Sequence, residues 1–233
     1  MQGRGTFIAL AWPNTQVVKE GKWYDIIMKW LGFVKNGYYK VGHAALLIIN
    51  HESGMVNYFD FGRYHTPLKM GRVRDKETDP DLCINTVALF SQQGAILNID
   101  DILNEVADNE SNHGEGEMLA SLHSSINYNK VMAYAKQMQS IGVIAYGPLV
   151  WGGTNCSRFV GRVAREATNN MVIGFLLKFP YTFSQTPKSA VRIVALNSGE
   201  ILRVRKDSPS IIENNIRKEV FISAPTFNSS NQY

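Results

Sequence analysis

The chain has 233 residues, 45% of them hydrophobic and 19% charged, which suits a globular protein with a real core and predicts one domain over 1–233. Its net charge is +4, but Lys and Arg are scattered and not interleaved with aromatics, so no nucleic-acid surface is expected. No run approaches the roughly 18–20 apolar residues of a membrane-spanning helix, and Ile8–Trp12 is too brief for a signal-peptide core, so a soluble, cytoplasmic protein is expected.

Thr6–Ala11 reads as a strand ended by Trp12-Pro13-Asn14, and Lys22–Leu31 carries apolar residues at helical spacing up to Gly32. Val41–Asn50 is a nearly continuous apolar run, as in a strand covered on both faces, and the turn His51-Glu52-Ser53-Gly54 leads to a hairpin partner over Met55–Gly62. Arg63–Leu82 reads as a long loop and Ile84–Leu89 as a further strand. The polar stretch Asp108–Glu117, set between two helical pieces, marks 91–128 as an insertion or lid.

Asn129 is positioned to cap a helix over Lys130–Ser140. Ala190–Leu196 and Glu200–Arg205 flank Asn197-Ser198-Gly199, a hairpin signal. Residues 225–233 form a polar, flexible tail.

Two cysteines without Cys-x-x-Cys or His-x-x-x-His spacing argue against a disulfide scaffold and a zinc site. No metal and no cofactor is expected, and any function of the cysteines is expected to be catalytic. Trp151-Gly152-Gly153-Thr154-Asn155-Cys156 is a glycine turn leading to a capping residue, followed by a helix with the buried stripe Phe159, Val160, Val163, Ala164 and Ala167. Cys156 thus lies in a first helical turn, where free amides and the dipole favour a thiolate and can hold an oxyanion.

The five histidines, at 43, 51, 65, 113 and 123, all precede Cys156, so a base for it lies upstream. His43 follows Gly42 and opens the apolar run, where a rigid strand would hold its imidazole. Alternation in Asn57–Gly62 puts Asp60 on one face with Tyr58, and Asp60 can meet His43 across the hairpin to fix its tautomer. Tyr58 and His65 remain alternatives for that third role. A different pairing, Cys83 with His113 or His123, lacks a glycine turn or helix start to activate the thiol.

Tyr146-Gly147-Pro148-Leu149-Val150-Trp151-Gly152-Gly153 with Asn155-Cys156-Ser157-Arg158-Phe159-Val160 resembles the cysteine element of NlpC-type papain-like hydrolases, and Gly42-His43-Ala44-Ala45 resembles their histidine element. The histidine element comes first here, as in the circularly permuted branch that includes relatives of lecithin:retinol acyltransferase. The resemblance implies an α+β, papain-like fold, with a central antiparallel sheet packed against the helix that opens with Cys156. It departs from the pattern at Asn155, where the family has aspartate, at Arg158, where it has glycine, and in a short spacer before the cysteine.

That resemblance implies a bacterial cysteine hydrolase cleaving an amide or ester through a thioester, on a peptide or cell-wall-peptide-like substrate. Cys156, His43 and Asp60 would be catalytic, and Tyr146, Trp151, Gly153, Asn155 and Arg158 would contact substrate or support the oxyanion. Competing readings are a lipid acyltransferase or esterase, and a non-catalytic binding module whose groove is lined by Trp12, Trp23 and Trp151. The partner is a small molecule or peptide, and oligomeric state is left open.

Overall fold

Gly5–Trp12 is buried without a break because strand β1 (Arg4–Trp12) runs through a sheet covered on both faces. Its side chains alternate: Phe7, Ala9 and Ala11 enter one core, and Ile8, Leu10 and Trp12 the other. The computed structural model describes residues 3–18, 34–35, 38–40, 42–147, 150–178, 186–205 and 211–214. The expected helix over 22–31, Trp23 and the tail 225–233 lie outside these.

After β1 come β2 (Gln16–Val18), β3 (Val34–Lys35) and β4 (Tyr38–Lys40), which form a small sheet of their own in the order β2-β4-β3. Strand β5 (His43–Asn50) then returns antiparallel to β1, and β6 (Val56–Gly62) forms the expected hairpin with β5. Met70–Arg74, read from sequence as loop, is strand β7 and pairs with β6. The large sheet is completed by β8 (Met118–Asn127), β9 (Ile144–Ala145), β10 (Glu200–Val204) and β11 (Ile211–Asn214), in the order β11-β10-β8-β1-β5-β6-β7-β9. Its strand pairs are antiparallel.

Helix α1 (Ile99–Asp108) buries Ile102, Leu103 and Val106 on one face of the sheet. The other face carries α2 (Tyr128–Ser140), α3 (Cys156–Ala167), α4 (Met171–Lys178) and α5 (Pro187–Val194). The fold is therefore mixed α and β around a large antiparallel sheet, with five α-helices among the described residues.

Several elements differ from the sequence expectation for identifiable reasons. The end of the expected insertion, 91–128, is β8, an internal strand between β1 and β10; its polar residues Ser124 and Ser125 fall at the exposed end, which disguised it. Within that segment the polar stretch 109–117 connects α1 to β8 and includes one short 3-10 turn, Glu110–Asn112. Ile84–Leu89, expected as a strand, joins no sheet. Pro187–Val194 is helical because Thr186 and Ser189 form a reciprocal capping box with Pro187 in the first turn, and Gly199, at φ 82°, donates to Ala195 O in the turn that follows. Helix α2 starts two residues earlier than expected, capped by Asn127 rather than Asn129.

Phe159 anchors α3 to the sheet: it has no solvent exposure and lies 6.3 Å, centroid to centroid, from Phe61 of β6. Truncating such a ring leaves a cavity that the flanking strands cannot close. Phe159→Ala should destabilise the protein by about 3–5 kcal/mol, measured by urea denaturation, and a loss under about 1 kcal/mol would contradict this packing.

Candidate active site

Helix α3 starts where the sequence predicts. Asn155 has extended backbone and its Oδ1 accepts from the amide of Arg158 at 2.9 Å, while its carbonyl accepts from the amide of Phe159. Among the described residues no hydrogen bond uses the amides of Cys156 and Ser157, the first two of the helix. Both are donors at the positive end of the dipole.

The turn before the helix is tied down by amides of Gly147 and Thr154, which donate to Thr154 O and Ala145 O. Gly153 has no room for a side chain, since an added Cβ would stand 2.7 Å from Ala145 O. Its amide donates to Val150 O at 3.0 Å. That corrects the expectation for Gly153: its role is to shape the turn, and its amide is not free for an oxyanion.

Cys156 is 92% buried, since only 8% of its surface is exposed. It belongs to the α3 core, and α3 crosses β5, β6 and β1. The thiol reaches the start of β5, where it meets the amide of Ala44 and the imidazole of His43.

Gly42 makes that start sharp: its φ is 71°, and a Cβ there would stand 2.8 Å from Trp12 O. His43 is then seated against Trp12, ring centroids 5.6 Å apart and 28° from parallel. Trp12 is 1% exposed, so it supports the histidine and does not line an open groove.

Ala45 pairs with Asp60 in the β5–β6 ladder, which makes His43, two residues earlier on the same face, a diagonal neighbour of Asp60. His43 Nε2 lies 3.5 Å from Asp60 Oδ2, at ion-pair separation but out of line for a hydrogen bond. Tyr58 directs its hydroxyl to the same oxygen at 3.1 Å. It therefore attends Asp60 rather than His43, and burial with Asp60 keeps its phenol protonated, well above the usual pKa.

Arg74 of β7 closes the other side of Asp60, with Nε donating to Oδ1 at 2.9 Å and Nη2 to Oδ2 at 2.6 Å. Burial opposes the charge on Asp60, but His43 and Arg74 outweigh it and hold the carboxyl below its ordinary range. Burial likewise opposes charge on His43. Asp60 and the Cys156 thiol overcome that and raise its pKa from 6.5 to about 9.

For Cys156 burial pushes the pKa up, and His43, Ser157 and the Ala44 amide together pull it below 9.0. The two shifts act in one direction: each favours, over the neutral pair, a thiolate beside an imidazolium. Such a pair can attack an electrophilic carbonyl and protonate what departs.

The remaining expected residues are dispersed around this centre. Tyr146 bridges to Thr154, stacks on Phe61 at 5.8 Å and lies under the Arg63 guanidinium. Trp151 is fully exposed at the turn. Arg158 is partly exposed, and burial with the nearby Arg162 lowers its pKa.

The alternatives fare differently. His65 is exposed at a turn with φ 48°. His51 bonds Thr6 Oγ1 at 2.8 Å, and His113 stacks on Tyr64. Cys83 Sγ contacts Ile84 O. Among the described residues no group of three or more His, Cys, Asp or Glu is placed to hold a metal ion, and no helix is long and apolar enough to cross a membrane.

Sequence reasoning missed Arg74 and the partnership of Trp12 with His43. Alternation in Met70-Gly71-Arg72-Val73-Arg74 puts both arginines on one face, but it says nothing about depth, and the segment was read as a loop. The usable signal was an arginine opposite a strand aspartate in the next hairpin.

The titration has a definite sign. Iodoacetamide labelling of Cys156 should have its pH midpoint below that of an ordinary thiol. In His43→Ala the burial penalty remains while its compensation is lost, so the midpoint should rise and labelling at pH 7 fall about tenfold or more. Equal profiles for the two proteins would refute the ion pair.

Comparison with known proteins bears on the same region. A search of the curated proteins found no match. Among solved structures, the fold is similar to one described as the crystal structure of type VI secretion system effector TseH, with a TM-score of 0.60 at 17% identity, covering 91% of this chain and 99% of that one. A family model described as type VI secretion system effector TseH-like matches residues 7–173, a span that runs from β1 through α3 and takes in His43, Asp60, Arg74 and Cys156. Most of the sheet and the whole Cys156–His43–Asp60 constellation lie inside that match, and the chain belongs to the TseH-like family of type VI secretion system effectors.

Proposed function

We propose that this effector is a cysteine hydrolase of the circularly permuted, NlpC-type papain-like kind, acting on an amide in a peptide such as those of the cell wall. The observation that carries the reading is Cys156 at a capped helix start against His43, with Asp60 behind the imidazole. The order of the chain, histidine strand before cysteine helix, supports the permuted relationship. Membership of an effector family supports a site of action outside the producing cell, in place of the cytoplasmic location expected from sequence.

In the mechanism, the Cys156 thiolate attacks the substrate carbonyl and forms the carbon–sulfur bond. The developing oxyanion is held by the amide of Cys156, with Tyr146 lining the cleft. His43, its Nε2 turned to Asp60, delivers the proton from its other nitrogen to the leaving amine as the amide bond breaks. Neutral His43 then takes a proton from water, whose oxygen displaces sulfur from the thioester, and the acid product leaves with the thiolate and imidazolium restored.

Arg158 and Trp151 stand near this centre in sequence and would contact the flanking parts of the substrate. Asn155 acts through the helix cap.

The test is turnover. Incubated with wall-derived peptides, the protein should release new amine termini detectable by mass spectrometry, and Cys156→Ala should reduce this at least about 1,000-fold. A substrate held by a slow-leaving acyl group should add its acyl mass to Cys156. Cleavage that persists in Cys156→Ala, or wild type as inert as that variant against peptide amides and simple esters, would overturn the reading.

A further inference from the structure

Asp60 accepts its two closest side-chain bonds from Arg74, while Nε2 of His43 stands 3.5 Å away and out of line. The acid and its guanidinium partner are both sealed from water, with side-chain exposures of 0% and 5%. A buried ion pair adds little net stability over apolar residues of the same volume. This pair, two side chains removed from the thiol, therefore calls for a role other than holding the fold.

The guanidinium is fixed on its remaining sides as well. Nη2 also donates to Ser111 O at 3.1 Å, its carbon lies 3.3 Å from the centroid of the Tyr64 ring, and His113 stacks on Tyr64 at 5.1 Å and 18°. Tyr64 itself is seated against Gly62, where a Cβ would stand 2.2 Å from its ring. Ser111 and His113 both come from the polar stretch 109–117, so that stretch braces Arg74.

We propose that Arg74 is a positioning residue for the reaction: its fork fixes both oxygens of Asp60 so that Oδ2 faces Nε2 of His43, and Ser111 and Tyr64 hold the fork in place. The proposal rests on the cysteine-hydrolase reading.

The groups facing Asp60 are His43 from β5, Arg74 from β7 and Tyr58 from its own strand, with Tyr64 and His113 behind Arg74. Without Arg74 a fully buried carboxylate keeps one cationic neighbour and favours its protonated form. His43 then loses the anion that holds its orientation, and the thiolate loses its counter-ion. Arg74 never touches substrate in this scheme, and its whole effect passes through Asp60.

Passage through Asp60 is what the experiment reads. The pH midpoint of Cys156 labelling by iodoacetamide is measured on the full chain for wild type, Asp60→Asn, Arg74→Met and the double variant, with near-ultraviolet circular dichroism to establish folding. Arg74→Met should raise the midpoint by about one pH unit, which is about tenfold less thiolate below it. Asp60→Asn should give a similar shift, and the double variant should add nothing further. Arg74→Lys, which keeps the charge but not the fork, should fall between.

A folded Arg74→Met protein with the wild-type midpoint, or a shift that adds in full to that of Asp60→Asn, overturns the proposal. Should Arg74→Met fail to fold, Arg74→Lys and Tyr64→Leu decide: an upward shift in either supports the role, and wild-type midpoints in both end it. Failure of the hydrolase reading looks different, because wild type and His43→Ala would then share one midpoint.

Discussion

A carboxylate with no exposure to water has to be kept ionised, and the arrangement around Asp60 follows from that demand. The cost of desolvating it is met by Arg74 on one side, His43 on another and the Tyr58 hydroxyl on a third. Removing one partner of such a buried pair typically costs about 3–5 kcal/mol, because the other charge is left uncompensated. The positions of β5, β6 and β7 are thus coupled through one side chain. So is the titration of Cys156, whose pKa is drawn down by the His43 imidazole that Asp60 in turn favours in its charged form.

The two cores explain how a polar group can sit so deep. One lies under α2, α3, α4 and α5, the other under α1 and the segment around Leu82, and the sheet between them has little face open to water. Cys156 belongs to the first core, while Ala45 and Tyr58, which share the face of Asp60, belong to the second. Cys156 and His43 meet at the end of the sheet where β5 begins, the place at which groups from the two sides can touch without crossing a strand.

Much of this was legible in the chain. The sequence Gly152-Gly153-Thr154-Asn155-Cys156 signals a capped helix start by local chemistry, and a local signal survives folding intact. His43 is marked by Gly42 and the apolar run behind it, and Asp60 by simple alternation plus hairpin register. What could not be read depends on depth or on distant partners. Arg74 looks like any strand arginine until β7 is paired with β6 and the stretch 109–117 is laid over it. Strand β8 was obscured because its inner half is apolar and its outer half polar, as befits a strand that emerges from cover partway along. The glycine-turn amide of Gly153 looked available, and only the bond to Val150 O removes it.

His43, Asp60 and Arg74 come from three consecutive antiparallel strands, joined by short connections, whereas Cys156 arrives on a helix more than eighty residues later. Contacts between near neighbours in sequence close with less loss of chain entropy than contacts between distant ones. The His43 imidazole and its supports can therefore assemble as a local unit, and the thiol of Cys156 meets them only when α3 docks. On the proposed function, reactivity is in this sense the last property the chain gains: until the helix is seated, the molecule would carry an ordinary thiol and an unengaged imidazole.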